Sequence, residues 1–154
     1  MTALSIKRGR GEAGFTLTEI LVVILIVGIL SAIAIPTLLS QRNKGVDVAA
    51  KTNVATAARA LAIYEQDHDT YACGTSSECV AALRLLEPTI PGGVDVNASG
   101  GAGDATRSGY RVTARGGQTR TFWQDRAPGA ETPERGCALN GATDAGGCPP
   151  SGSW

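Results

Sequence analysis

Residue types on which enzymes depend are scarce in this chain of 154 residues, which has one histidine and 18% charged residues. The sequence contains no G-x-S-x-G or H-E-x-x-H motif, no dinucleotide-binding fingerprint and no cysteine–histidine nucleophile pattern. Acid–base catalysis would therefore have to rest on scattered carboxylates. These absences argue against an enzyme, and they indicate no cofactor and no metal.

An excess of charge of either sign is also missing. The 14 basic residues balance the 14 acidic residues, so the formal net charge is zero. Proteins that bind nucleic acid neutralise its phosphates with many lysine and arginine side chains. The balanced charge therefore gives no indication of a nucleic-acid partner.

A long aliphatic run is what the sequence does have. From Ile20 to Ile35 every residue except Gly28 and Ser31 is aliphatic. With its apolar flanks, the segment 15–39 reaches the roughly twenty residues that span a bilayer. A free helix of this composition does not dissolve in water. The segment is therefore a membrane span, a signal sequence or a helix covered by its own copies.

A single carboxylate, Glu19, stands at the head of this run. An acidic side chain within hydrocarbon costs on the order of a few kcal/mol and is normally paired and functional. No basic residue follows Glu19 within two helical turns, and the nearest cations, Lys7, Arg8 and Arg10, precede it. A new α-amine, created by cleavage before Phe15, would supply the missing partner.

The order of a short basic leader, Gly14, Phe15, Glu19 and an apolar helix resembles the class III signal of type IV pilins and pseudopilins. The resemblance covers residues 1–36. In that family a prepilin peptidase cleaves after the glycine, the new first residue is N-methylated, and the glutamate pairs with the amino terminus of a neighbouring subunit. The resemblance therefore implies cleavage between Gly14 and Phe15, N-methylation of Phe15 and an assembly role for Glu19. Pro36 matches the family's helix-kinking proline.

The resemblance also implies an organisation for the whole chain. Residues 1–14 form a cleaved leader, 15–39 a transmembrane or filament-core helix, and 40–154 a globular head. The basic leader stays in the cytoplasm and directs the carboxyl end outward. The protein is then expected as a single-pass membrane protein before assembly and as an extracellular filament afterwards. The implied partners are copies of itself, other pilins, the prepilin peptidase and the pilus assembly platform.

The predicted fold is α+β, with one long helix that starts at Phe15 and packs its second half on a small antiparallel sheet. Gly28 and Pro36 are expected kink points, because glycine adds backbone freedom and proline removes a hydrogen-bond donor. Over 41–67 the apolar residues recur at helical spacing, with charged residues such as Asp47 largely elsewhere. A short dimer seam is the alternative use of this stripe. Its members are Val46, Ala50, Val54, Ala57 or Ala58, Leu61 and Tyr64.

A second, shorter helix is predicted after the long one. Thr75 and Glu78 have the spacing of a capping box, and the largely apolar segment 79–86 follows directly. Pro88 then ends the helix. A short strand is expected over 94–96, beyond the next turn.

The rest of the head is predicted to be strands and loops. Segments 110–114 and 119–124 alternate or cluster as the two strands of a hairpin. Glycine and proline predict loops over 97–104 and 127–136. The tail 137–154 has little periodic apolar content and needs a disulfide to be ordered. Its last residue, Trp154, either packs back on the head or frays.

Four cysteines follow the apolar segment: Cys73, Cys79, Cys137 and Cys148. An even number beyond a membrane segment indicates disulfides in an oxidising compartment. Of the three possible pairings, local pairing of Cys73 with Cys79 and of Cys137 with Cys148 is favoured. A zinc site is the rival, but it lacks a C-x-x-C pair, and His68 stands alone.

Two other functions remain open. Within the family, the chain could be a minor pilin or a pseudopilin of a type II secretion or DNA-uptake system. From another class, Ser31 to Ala34 contains the small-x-small pattern of a secretory signal. Cleavage after Ala34 would release a disulfide-bonded binding domain. That reading leaves Glu19 and the Gly14–Phe15 junction without a role.

Overall fold

A computed structural model describes residues 14–99, 109–142 and 146–154. The predicted leader, except Gly14, and the glycine-rich positions after Ser99 lie outside these residues. The chain divides into two compact units, residues 1–38 and residues 39–154. Helix α1 (Leu17–His68) contributes to both units.

In the first unit, α1 presents its apolar side chains to the outside. Every large hydrophobic residue from Leu17 to Leu39 is exposed. Among the described residues, α1 is the one helix that is long and apolar enough to cross a membrane. The helix continues through Gly28 and Pro36, so the kinks expected there stay a prediction.

The second unit combines helix with antiparallel sheet, which confirms the predicted α+β class. Helix α2 (Ser76–Leu86) follows α1. The described strands pair in the order β1-β2-β3-β4, and all neighbours are antiparallel. Their bounds are β1 (Val94–Ser99), β2 (Gly109–Arg115), β3 (Thr121–Arg126) and β4 (Glu134–Ala138).

The core lies between the second half of α1, α2 and one face of the sheet. Small alanines on α1 line the core, and the buried Val54 and Leu61 contribute its larger side chains from this helix. From the sheet, Val112 and Phe122 are fully buried. Removing this apolar surface from water is the main stabilising term, at about 25 cal/mol per Å².

The buried face of α1 differs from the prediction at its first position. Val46 is 41% exposed, whereas Asp47 is fully buried. The prediction placed charged residues off this face because an isolated buried carboxylate is costly. It was wrong at Asp47, because Arg120 from the sheet side neutralises the charge.

Helix α2 begins as predicted. The Thr75 side chain accepts a hydrogen bond from the backbone N–H of Glu78, and the Glu78 carboxylate accepts one from the backbone N–H of Thr75 at 2.7 Å. This capping box satisfies amides that the first helical turn leaves without partners. The Ser76 hydroxyl also accepts from Val96 N–H at 3.0 Å, which links the start of α2 to β1.

The hairpin of β2 and β3 is confirmed, although β3 begins two residues later than predicted. Strand β1 is longer than predicted and takes in Asn97 to Ser99, which were assigned to a loop. Strand β4 was missed, because glycine and proline around it indicated a loop. Pairing with β3 forms it, and the indole of Trp123 covers Gly136, its cross-strand partner.

Two hydrogen bonds tie the last residues of the tail to β4. Cys137 N–H donates to Gly152 O at 2.7 Å, and the Trp154 indole N–H donates to Gly136 O at 2.8 Å. The Trp154 ring also meets Phe122 edge-on, with centroids 6.3 Å apart. Trp154 therefore packs back on the head.

Candidate functional site

The segment before α1 carries the predicted processing site. Gly14, Phe15 and Thr16 precede the helix, and the Phe15 side chain is 80% exposed. Nothing lies within 4 Å of a Cβ built on Gly14. The Gly14–Phe15 peptide bond is thus in a non-helical and accessible segment, which is what a peptidase needs.

Glu19 takes part in a second capping box. Its Oε2 atom accepts from the backbone N–H of Thr16 at 3.0 Å and from the Thr16 hydroxyl at 3.1 Å. The Glu19 N–H lies 3.2 Å from the Thr16 hydroxyl oxygen, which accepts from it. The spacing of Thr16 and Glu19 equals that of Thr75 and Glu78. This spacing is the sequence signal of the capping box at the start of α1, which was not predicted from the sequence.

A buried ion pair in the head was not anticipated from the sequence. Asp47 Oδ2 lies 2.9 Å from Arg120 Nε, and both side chains are completely buried. The backbone N–H of Gly117 donates to Asp47 Oδ1, and that of Gly147 donates to Asp47 Oδ2, each at 2.7 Å. We call these four residues, Asp47, Arg120, Gly117 and Gly147, the Asp47 junction.

Two glycine pairs enclose the junction. A Cβ on Gly116 would overlap the Asp47 carboxylate, and one on Gly146 would overlap both charged groups. At Gly147 a Cβ would lie 2.9 Å from the Cβ of Asp47. Without side chains at these positions, the two glycine pairs provide the space that the ion pair occupies.

The structure joins Cys73 to Cys79 and Cys137 to Cys148. The Cα atoms of these pairs are 4.8 and 5.8 Å apart, within the ordinary range for disulfides. This is the local pairing that the sequence favoured. Within the described residues no group of three or more histidine, cysteine or acidic side chains could hold a metal ion.

His68 stacks on a neighbouring aromatic ring at the end of α1. Its ring centroid is 4.0 Å from that of Tyr64, and its Nδ1 is 2.9 Å from Tyr64 O. These contacts give the His68 imidazole a local structural role at the helix end.

Tyr71, a few residues later, is buried, and burial raises the pKa of its phenol while the charge of Arg126 opposes the rise. Tyr71 therefore remains protonated and serves as a hydrogen-bonding core residue.

The amino-terminal segment matches a known protein family. Residues 9–35 match the family described as the prokaryotic N-terminal methylation motif. The match contains Gly14, Phe15 and Glu19. These are the residues to which the resemblance assigned processing and assembly.

The chain is also similar to curated proteins over part of its length. It is 35% identical over 85 residues to type II secretion system core protein G of Vibrio cholerae, which covers 55% of this chain and 56% of that protein. It is 39% identical over 62 residues to core protein G of Pseudomonas aeruginosa, covering 40% and 44% of the two chains. It is 37% identical over 62 residues to the type IV wide pilus major component PilA4 of Thermus thermophilus, covering 40% and 47%.

The chain thus spans about half the length of the curated relatives it matches. The described residues combine a long amino-terminal helix with a short helix and an antiparallel sheet. The methylation motif and these relatives together support a pilin or pseudopilin family for this chain, which confirms the resemblance drawn from its sequence.

Proposed function

We propose that this chain is a structural subunit that is cut by a prepilin peptidase and assembled into a filament through its amino-terminal helix. The observation that carries the proposal is the methylation motif over 9–35, joined to an apolar helix whose side chains are exposed. The role is structural, since it needs no catalytic group. Its partners are the peptidase, an assembly platform and further subunits.

The exposed apolar surface of α1 suits two successive surroundings, the bilayer and then the helices of other subunits. Large hydrophobic side chains point outward on all sides between Leu17 and Leu39. Such a surface is stable in the bilayer before assembly and among the helices of other subunits afterwards. The subunit is therefore stored in the cytoplasmic membrane and leaves it when copies of the helix replace the lipid.

Glu19 supports a step between these environments. In the single chain the carboxylate is held by hydrogen bonds from Thr16. Cleavage after Gly14 creates a cationic α-amine on Phe15, immediately before Thr16. The amine of an incoming subunit is a stronger partner for a carboxylate than a neutral hydroxyl or amide. When the Glu19 carboxylate changes its partner from Thr16 to that amine, the new contact sets the axial position of one subunit relative to the next.

The relatives favour a secretion pseudopilus as the particular filament. The similarity to core protein G of V. cholerae covers more of this chain than the similarity to the T. thermophilus pilin. A type IV pilus on the cell surface is the second candidate, on the strength of that pilin. Both use the same cleavage and the same helix.

Processing is tested by intact-mass measurement on the protein purified from its own cells, with and without the prepilin peptidase. The expected mature chain starts at N-methylated Phe15. A first residue of Ile35 would instead indicate a secreted domain released after Ala34, and an uncut chain starting at Met1 would contradict the proposal.

The choice of filament is tested by deleting the gene. Loss of exported enzymes from the medium with surface pili intact identifies a secretion pseudopilus. Loss of surface pili with normal export identifies a pilus subunit. A deletion that affects neither, while the protein is expressed, contradicts the filament role.

A further inference from the structure

The Asp47 junction links three segments that are far apart in the chain. Asp47 belongs to α1, whereas Gly117 and Arg120 lie in the turn between β2 and β3. Gly147 belongs to the segment that returns to the sheet. Its N–H bonds an Asp47 oxygen across 100 residues, and the Gly117 N–H bonds the other oxygen across 70 residues.

The third segment is held in place by the second disulfide. Gly147 directly precedes Cys148, and Cys148 is bonded to Cys137 in β4. Both sulfur-bearing residues are buried, at 6% and 4% exposure. The bond fixes the chain next to Gly147 against the sheet, so the Gly147 N–H stays within reach of Asp47. Without it, the segment after β4 would have to be positioned by non-covalent contacts alone.

Displacement of this segment would weaken the contact of α1 with the rest of the head. A buried carboxylate that loses a hydrogen-bond donor bears the desolvation cost of the missing partner. Gly146 and Gly147 also cover the ion pair, so their departure admits water to Asp47 and Arg120 and weakens their attraction. The contact between α1 and the β2–β3 turn depends on the same carboxylate.

We propose that the Cys137–Cys148 disulfide is a redox-dependent latch that closes the Asp47 junction and thereby docks α1 on the β2–β3 turn. Closing the bond removes two protons and two electrons from the two thiols. A thiol–disulfide exchange partner accepts the electrons as its own disulfide is reduced to a dithiol. The head then takes its closed form only after it has met an oxidising compartment. This role is separate from the filament function and does not depend on it.

The test uses the full chain in detergent micelles, and compares Cys137→Ser/Cys148→Ser with the matched variant Cys73→Ser/Cys79→Ser. Hydrogen–deuterium exchange is followed at the amides of Gly117 and Gly147. We expect both amides to exchange about tenfold faster or more in the first variant, because the junction opens locally. In the second variant their exchange stays as in the oxidised wild type.

The readout at Gly117 decides the matter, because that amide is remote in sequence from the disulfide. Faster exchange at Gly147 alone would mean that the tail opens without disturbing the junction, and would overturn the proposal. Equal acceleration in both cysteine variants would show a general loss of stability, and would overturn it as well.

A variant that keeps the disulfide covers the case in which Cys137→Ser/Cys148→Ser does not fold. Gly147→Ala places a Cβ 2.9 Å from the Cβ of Asp47, so it pushes the returning segment off the carboxylate. Gly92→Ala is its control, since nothing lies within 4 Å of a Cβ there. Faster exchange at Gly117 in Gly147→Ala only is expected. Unchanged exchange in both variants contradicts the latch.

The coupling is measured by thermal unfolding of Asp47→Asn with and without Cys137→Ser/Cys148→Ser. If the disulfide acts through Asp47, the fall in Tm caused by Asp47→Asn is smaller in the background that lacks the bond. An equal decrease in Tm from Asp47→Asn in both backgrounds would refute the latch. Asp125→Asn breaks the exposed pair with Arg111 and is the control for loss of a charge.

Discussion

Thr16 and Glu19 hold each other at the start of α1, each accepting a hydrogen bond from the other's backbone N–H. The Glu19 carboxylate is therefore hydrogen-bonded already in the single subunit. The sequence suggested the new α-amine of Phe15 as the partner of this carboxylate. The structure adds a local partner, Thr16, whose N–H and hydroxyl both donate to the carboxylate. In the assembly proposed above, an incoming amine would displace these donors.

Substitutions of Glu19 separate its charge from its capping role. Glu19→Ala removes both and is expected to leave synthesis, insertion and cleavage largely intact while filaments are strongly reduced. Glu19→Gln keeps an oxygen that can accept from Thr16 N–H but loses the charge, so it should be as defective as Glu19→Ala. Glu19→Asp should be partly defective, because the shorter side chain misplaces the charge.

Filament yield, or export of secreted enzymes, is measured beside the levels of precursor and mature protein. Normal assembly by Glu19→Gln would show that capping is sufficient and that no amine pairing takes place. Loss of the cleaved protein in any of the three variants would point to a role of Glu19 in processing.

Replacement of Gly14 by leucine is expected to leave an uncut precursor in the membrane. The residue before the scissile bond is the smallest possible, and a bulky side chain would not fit a peptidase site that selects for it. Intact mass of the membrane-bound chain gives the result. Gly28→Ala, which lies in α1 with open space around it, should be cleaved as the wild type is. Cleavage of Gly14→Leu at the wild-type rate would contradict the assignment.

Gly136→Ala is expected to destabilise the head by about 1–3 kcal/mol, since overpacking forces side chains out of favourable rotamers. The Trp123 indole lies where the new Cβ would go, with its Nε1 2.9 Å from that position. Chemical denaturation monitored by tryptophan fluorescence measures the change, with Gly92→Ala as the near-neutral control. Equal midpoints for the two variants would show that Trp123 moves aside without cost.

Acid is expected to loosen the start of α2. The backbone N–H of Thr75 and then its hydroxyl donate to Glu78 and hold the pKa of that carboxyl below its ordinary value of 4.5. A lowered folded-state pKa means that the contribution to stability is complete above 4.5 and is lost as the pH falls through the lowered value. The Thr75 amide chemical shift, followed by NMR from pH 6 downward, should report this transition.

Glu78→Gln is the control for this titration, because its amide cannot lose a charge. In this variant, the chemical shift of the Thr75 amide should show no transition at the pH where the wild type has its midpoint. A wild-type midpoint at or above the ordinary value would contradict the strength assigned to the capping box.

Features that depend on neighbours in sequence were predictable. The capping box of Thr75 and Glu78 joins residues three apart, so the type and spacing of the two side chains are enough to predict it. The same holds for the hairpin, whose alternating residues surround a short glycine-containing turn. The N-terminal methylation motif is likewise local, because its glycine, phenylalanine and glutamate precede the apolar run in a fixed order.

Features that depend on distant partners were decided by the tertiary structure. Nothing near Asp47 in sequence marks it as buried, since Arg120 and the amides of Gly117 and Gly147 reach it only when the sheet and the disulfide-bonded segment meet α1. Strand β4 forms around Gly136 for the same kind of reason, because β3 supplies both its hydrogen bonds and the Trp123 ring. The sequence by itself determined that an apolar helix follows the motif of glycine, phenylalanine and glutamate, and that α2 begins at a capping box. The tertiary structure alone decided which charge is buried, because burying a carboxylate is favourable only where a cation and oriented N–H groups converge on it.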